Sequence, residues 1–158
     1  MIAIKKILVP VDFSLCSKAA LDHAIHFGRA LGVEAIDVMH VWRPPRFIGP
    51  ETKVRSADGR EQTLTEFARG KTGHAMKEFL SALEQAGSFS VRGRLEEGLP
   101  HQRILEIASA ERYDLIIMGT QGAARTDKLG SIAERVVRNA ACPVLTIRQQ
   151  GGTVPPVA

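Results

Sequence analysis

Asp114-Leu115-Ile116-Ile117-Met118-Gly119-Thr120-Gln121-Gly122, followed after seven intervening residues by Gly130-Ser131, is the stretch on which the fold turns. Leu115–Met118 is an unbroken apolar run with no polar alternation, the pattern of a strand buried on both faces of a parallel sheet. Glycines then interrupt it, and Ile132, Val136, Val137 and Ala140 continue at helical spacing. Strand, glycine loop and helix in that order make one unit of an alternating α/β chain.

Working outward, the same unit recurs. Downstream, Pro143–Ile147 is a fifth strand. Upstream, Pro100 suits the first turn of a third helix carrying Ile104, Leu105 and Ala108. Before it, Phe89, Val91, Gly93 and Leu95 alternate with Ser90, Arg92 and Arg94, which predicts a half-exposed edge strand. At the N-terminal end, Lys6–Val11 is a β-branched apolar run. A helical pattern beginning near Ser17 follows, with Ala20, Ala24, Phe27 and Leu31 on one face and Gly32 as its stop. Ala35–Val41 is a second, mostly apolar strand. Residues 43–62, with Pro44, Pro45, Gly49, Pro50 and Asp58-Gly59, read as a long loop, a rarity that marks function or mobility. Leu64, Phe67, Lys71, Ala75, Phe79 and Leu83 form the second helix, closed by Gly87. Five strands alternating with four helices predict an α/β three-layer sandwich around a mostly parallel five-stranded sheet. The expected organisation is one domain over 1–148 and a flexible tail over 149–158.

Composition narrows the classes of function. The chain has 158 residues, 44% of them hydrophobic and 24% charged, which excludes a disordered chain. No apolar run approaches the ~20 residues of a membrane span. The 21 Lys+Arg against 17 Asp+Glu are scattered, and only eight residues are aromatic (six Phe, one Trp, one Tyr), so neither a basic stripe nor a base-stacking platform is present. No nucleic-acid or membrane partner is therefore expected. Cys16 and Cys142 are too few for a disulfide scaffold and read as reduced thiols. With no leader-like segment before the first strand, the expected location is the cytoplasm.

Ligands of open α/β sheets bind beyond the carboxyl ends of the strands, where strand order reverses. After the fourth strand, Gly119, Gly122 and Gly130 permit positive φ and close backbone approach. Gly130-Ser131 opens a helix whose free N–H groups favour an anion, and Arg125 and Lys128 add charge. The competing reading is a tight strand–helix connection with Ser131 as N-cap. Asp12, after the first strand, accepts hydrogen bonds from a nucleotide or caps the first helix. His23 and His26 read as a surface pair, and His40 as a hydrogen-bonded core residue. No phosphate-binding P-loop, dinucleotide fingerprint or nucleophile elbow occurs, and no nucleophile–base pair follows from spacing.

Taken together, Ile7-Leu-Val-Pro-Val-Asp-Phe-Ser14, Val38-Met-His-Val41, Gly98-Leu-Pro100, Asp114–Gly122, Gly130–Arg138 and Cys142–Ile147 resemble the universal stress protein family over nearly the whole chain. The resemblance implies strand order 3-2-1-4-5, with the reversal between strands one and four. It implies an adenine nucleotide, ATP or ADP/AMP, accompanied by Mg2+ on its phosphates. In ATP-binding members the residue matching Asp12 contacts adenine and that matching Val41 lines the base pocket. Those matching Pro10 and Val11 form the pocket floor, with Met118 and Gly119 at its side. The matches to Gly119, Gly122, Gly130 and Ser131 hold ribose and phosphates, and the next backbone N–H is that of Ile132. One departure matters: nine residues separate the last two glycines in those members and seven do here, shortening the loop by up to ~7 Å of extended chain.

The resemblance further implies a homodimer through the edge strand Val144–Ile147, and a stress-response sensor or protective factor. The alternative is an interaction module of the same fold without nucleotide, and slow ATP hydrolysis is a third reading.

Overall fold

The computed structural model describes residues 3–44, 49, 51–81, 83, 89–121 and 129–148. Gly87, Gly122, Arg125, Lys128 and the tail at 149–158 lie outside them. Seven strands and four helices follow in the order β1 (Lys6–Pro10), α1 (Leu15–Leu31), β2 (Ala35–Trp42), β3 (Lys53–Arg55), β4 (Glu61–Thr63), α2 (Leu64–Ser81), β5 (Ser90–Glu97), α3 (Pro100–Ala110), β6 (Leu115–Gly119), α4 (Ser131–Asn139) and β7 (Val144–Ile147).

The main sheet runs β5-β2-β1-β6-β7 with every neighbouring pair parallel. Counting the main strands alone, this is the expected 3-2-1-4-5 order. Side-chain alternation along the strands explains the layers. Ile7 and Val9 of β1, Ile36 and Val38 of β2 and Ile117 of β6 face one side and pack on Ala20, Leu21 and Ala24 of α1 and Met76 of α2. Leu8, Met39, Ile116 and Met118 face the other and pack on Ile104, Ile107 and Ala108 of α3 and Ala133 and Val136 of α4. Both faces of β1 and β6 are thus apolar, as their unbroken hydrophobic runs require.

Two local expectations are corrected. First, residues 43–62 are not loop throughout: β3 and β4 form an antiparallel hairpin pairing Lys53 with Thr63 and Arg55 with Glu61. Asp58-Gly59 makes its turn, with Gly59 at φ 84° and Ser56 bonded to Asp58. Three-residue strands with only Val54 between two cations are too short for hydrophobic periodicity to register. Second, α1 starts two residues before Ser17, because Ser14 is its N-cap and its hydroxyl accepts from the Ser17 amide at 3.2 Å.

At the other end of α1, Gly32 sits in the left-handed region at φ 65° and donates to Gly28 O. A methyl group added at Gly32 would meet nothing within 4 Å, so only backbone strain opposes it. Gly32→Ala is expected to destabilise the protein by about 1 kcal/mol, read as a lower urea midpoint with unchanged slope.

Edge strand β5 carries charge on its α3 side. Arg94 bonds Glu96 and Glu111 at 2.8 Å each, and Arg103 of α3 bonds Glu96 at 2.6 Å. Burial pushes the Glu96 carboxyl up, but the guanidinium groups of Arg103 and Arg94 outweigh it and hold it below its ordinary value. Deeper in, Asp37 of β2 is 3% exposed and pairs with Arg92 and the Tyr113 hydroxyl.

Candidate functional site

All five strands of the main sheet are parallel, so their carboxyl ends lie along one edge. From β1 the chain proceeds to β2 on one side, while β6 flanks β1 on the other. That reversal opens a crevice between the two connections that follow β1 and β6. A cavity of about 380 Å³ occupies it, within the size range of small-molecule sites.

Each wall follows from the local sequence. Beyond the last residue of β1, the Val11 amide donates to Met39 O at 2.8 Å, extending the ladder by one step and carrying Asp12 to the rim. Asp12 is exposed; its Oδ1 accepts from the Ser14 amide at 3.1 Å and from the Ser14 hydroxyl. Asp12 is therefore not itself the cap of α1, which is Ser14, but braces that cap residue, and its Oδ2 accepts no protein hydrogen bond among the described residues. Met39 and Val41 of β2, Ile104 of α3 and Met118 of β6 supply apolar lining.

Across the cleft, β6 ends at Gly119 and the chain returns to α4. Thr120 is held at both backbone groups, its amide donating to Ile147 O at 2.9 Å and its carbonyl accepting from Gly130 N–H at 2.7 Å. Gly130 is the N-cap of α4 and makes no side-chain cap bond; Ser131 stands inside the helix, which corrects its reading as N-cap. The first-turn amides therefore point toward the cleft end of α4 with no cap bond from the N-cap residue itself. Buried Ala133 and Val136 anchor this helix on the sheet. The two described cleft glycines do not use the positive φ expected of them. Gly130 has φ −62°, and Gly119 is not among the described residues with positive φ. Both are instead crowded: an added Cβ would lie 2.8 Å from Cys16 Sγ at Gly119 and 3.1 Å from Thr120 O at Gly130.

Nine of the ten residues anticipated from sequence line this one cleft: Pro10, Val11, Asp12, Val41, Met118, Gly119, Gly130, Ser131 and Ile132. The tenth, Gly122, and the shortened interval after it lie outside the described residues. Sequence reasoning missed Thr120, which is 8% exposed and whose hydroxyl has no partner among the described residues. It also passed over the cleft-lining place of His40, read only as a hydrogen-bonded core residue; His40 does carry such a bond, from Nδ1 to Val11 O at 2.8 Å. His101 is half-buried in the first turn of α3. Cys16 and Cys142 are free thiols.

Among known proteins, the universal stress protein family matches residues 3–148, the whole described sandwich. The chain belongs to the universal stress protein family. Universal stress protein MJ0531 of Methanocaldococcus jannaschii is 33% identical over 147 residues, spanning 92% of this chain and 82% of that protein. The solved structure of MJ0577 superposes with a TM-score of 0.73 at 29% identity, covering 96% of this chain and 100% of its own. Two more distant structures share the fold. A universal stress protein in complex with cAMP has a TM-score of 0.67 at 22% identity, covering 92% and 98% of the two chains. The Arabidopsis thaliana protein At3g01520 with AMP bound has a TM-score of 0.65 at 18% identity, covering 96% of each. In this universal stress protein no described helix is long and apolar enough to cross a membrane.

Proposed function

We propose that this universal stress protein binds an adenine nucleotide, ATP or ADP/AMP, in the cleft between β1 and β6, and acts in the cytoplasm as a stress sensor or protective factor. The observation that carries the reading is the pairing of two complementary ends across one apolar crevice. Asp12 offers a carboxylate oxygen to an exocyclic amino group or a ribose hydroxyl. The N-terminus of α4, whose N-cap is a glycine, offers amides and a positive dipole end to phosphate. Pro10, Val11, Val41 and Met118 supply the apolar contact for a base between them, and Gly119, Gly122, Gly130, Ser131 and the Ile132 amide take the ribose and phosphates. Complexes of fold relatives with AMP and cAMP support a nucleotide of this size.

Among the described residues no group of three His, Cys, Asp or Glu offers a metal cage. Mg2+ is assigned to the phosphates of the ligand. Dimerisation through β7 completes the proposal, since Val144–Ile147 ends the sheet and its Val144 and Leu145 are only half-buried. A second reading, an interaction module with no nucleotide, draws on Val137 and Ile132, which stand 45% and 39% exposed on α4.

Mass analysis of small molecules released from heat-denatured protein, with calorimetric titration of AMP, ADP and ATP, separates the two. Nucleotide in the released fraction is the expected result. Asp12→Ala is expected to weaken AMP binding about tenfold, or about 1.4 kcal/mol. No nucleotide released and no heat with any of the three would overturn the reading and leave the interaction module.

A further inference from the structure

The connection between β1 and α1 is strained where it meets the cleft. Phe13 has φ 63°, a left-handed conformation that a bulky side chain rarely adopts. Such strain persists only where surrounding contacts over-determine it. Here they come from β2 and α2. The Phe13 ring stacks on the His40 imidazole with centroids 4.5 Å apart and planes 26° from parallel, and meets Phe79 of α2 edge-on at 5.5 Å. His40 Nδ1 lies 2.8 Å from Val11 O. A carbonyl oxygen only accepts, so Nδ1 carries the hydrogen whether the ring is neutral or charged. Both backbone groups of Val11 are then tied to β2, its carbonyl by His40 and its amide through Met39 O. Asp12 sits between these two clamped residues.

We propose that His40 is a positioning residue for the ligand cleft: its Nδ1–H fixes the Val11 carbonyl and its ring seats Phe13, and together they set the Asp12 carboxylate at the rim. The role rests on the nucleotide reading above and deepens it by naming what holds the base-end carboxylate in place. The imidazole suits it because a single side chain supplies both a flat stacking surface and a donor at its edge. Oδ1 of Asp12 is spent on Ser14, so the carboxylate has one rotational setting once the backbone on either side is fixed. Oδ2 is then directed by the loop rather than by any contact of its own.

The test is a cycle of His40→Leu, His40→Asn and Asp12→Ala, read by AMP titration and by amide hydrogen exchange. Leucine keeps the bulk and loses the donor, whereas asparagine keeps a donor near the Nδ1 position. His40→Leu is expected to weaken AMP binding about tenfold, the worth of one well-placed hydrogen bond, and His40→Asn by no more than about threefold. In the Asp12→Ala background, His40→Leu is expected to change affinity by less than about twofold, because the two residues act as one unit. Additive losses, or a leucine variant that binds like wild type, would overturn the proposal and return His40 to a packing role. Exchange of the Ser14 amide, which is bonded to Asp12 Oδ1, is expected to quicken about tenfold in His40→Leu while the β1 amides hold. This second readout needs no nucleotide. If wild type binds no AMP, the functional reading fails alone, and unchanged exchange at Ser14 overturns the positioning role.

Discussion

Asp37→Ala is expected to cost about 1.5 kcal/mol of folding stability, within the range seen when a buried polar group, here the Tyr113 hydroxyl, is left short of its partner. Asp37 lies in mid-strand β2 and is 3% exposed, yet its Oδ1 takes Arg92 Nε at 2.8 Å and its Oδ2 takes Arg92 Nη2 at 3.0 Å. The Tyr113 hydroxyl donates to the same Oδ2. With alanine, the hydroxyl of Tyr113, a residue 4% exposed, keeps among the described residues only hydrogen bonds of 3.4 Å with Arg94 and Glu111. Arg92 has a side chain 62% exposed and can turn to water, which holds the loss at the lower end of that range. The acid limb carries a signature. Burial pushes the Asp37 carboxyl up, but hydrogen bonds from Arg92 and Tyr113 and the charges of Arg92 and Arg94 outweigh it, and the net position is below the ordinary value. A carboxyl lowered in the folded state adds stability that is complete above its unfolded pKa of about 4 and disappears as pH falls through the folded value. Wild type should therefore lose stability below about pH 4 more steeply than Asp37→Asn, which lacks the titrating group. Urea midpoints at pH 7 and pH 3 measure both effects. A loss at pH 7 under about 1 kcal/mol would mean that Asp37 is not buried against Tyr113 as described.

That network was hidden in the sequence for a physical reason. Asp37 stands in a run, Ala35–Val41, whose other members dictate a buried strand, and its partners are 55 and 76 residues away. Local pattern shows that a buried acid needs a cation without saying which one. The alternation of Arg92 and Arg94 with Val91 and Leu95 marks β5 as an edge strand, and only the β2–β5 register, Asp37 opposite Arg92, joins the two facts. By contrast, β1 and β6 were legible because strands buried on both faces must be apolar at every position. The cleft was legible for a related reason: in a parallel sheet the site lies where strands end, so Asp12 and Gly119–Ser131 could be nominated from chain position alone. The hairpin at β3 and β4 escaped because it buries little. A usable signal was present at its end, where Thr63 and Glu66 form a reciprocal capping box: Glu66 accepts from the Thr63 amide at 2.9 Å, and Thr63 Oγ1 accepts from the Glu66 amide at 3.2 Å. What spacing could not show was the reason for the cleft glycines. Conformational freedom was the natural expectation, and close packing is the finding.

Gly119→Ala is where that difference has its largest consequence, an expected loss of about 3 kcal/mol, the upper end for overpacking. The added methyl would lie 2.8 Å from Cys16 Sγ and 3.1 and 3.2 Å from the Cys16 carbonyl carbon and oxygen. Cys16 is the second residue of α1, 5% exposed, with its thiol donating to Ile147 O at 3.4 Å. The insertion therefore wedges α1 away from the end of β6, and neither the helix backbone nor the paired strand can yield as a side-chain tip would. Both cleft walls are tied to those two elements, Asp12 through the Ser14 cap and the α4 N-terminus through Thr120. Adding Cys16→Ala removes the nearest clash but not the two backbone contacts. The double variant should regain about 1 kcal/mol relative to additivity, leaving a residual deficit. Urea titration of the four proteins of this cycle measures the coupling, and AMP titration of the same set should show the affinity of Gly119→Ala falling with its stability. Strict additivity would mean that Cys16 Sγ does not occupy the space in front of Gly119. Any cost of Gly119→Ala would then rest on the Cys16 backbone alone, and the seam between α1 and β6 would owe nothing to the thiol.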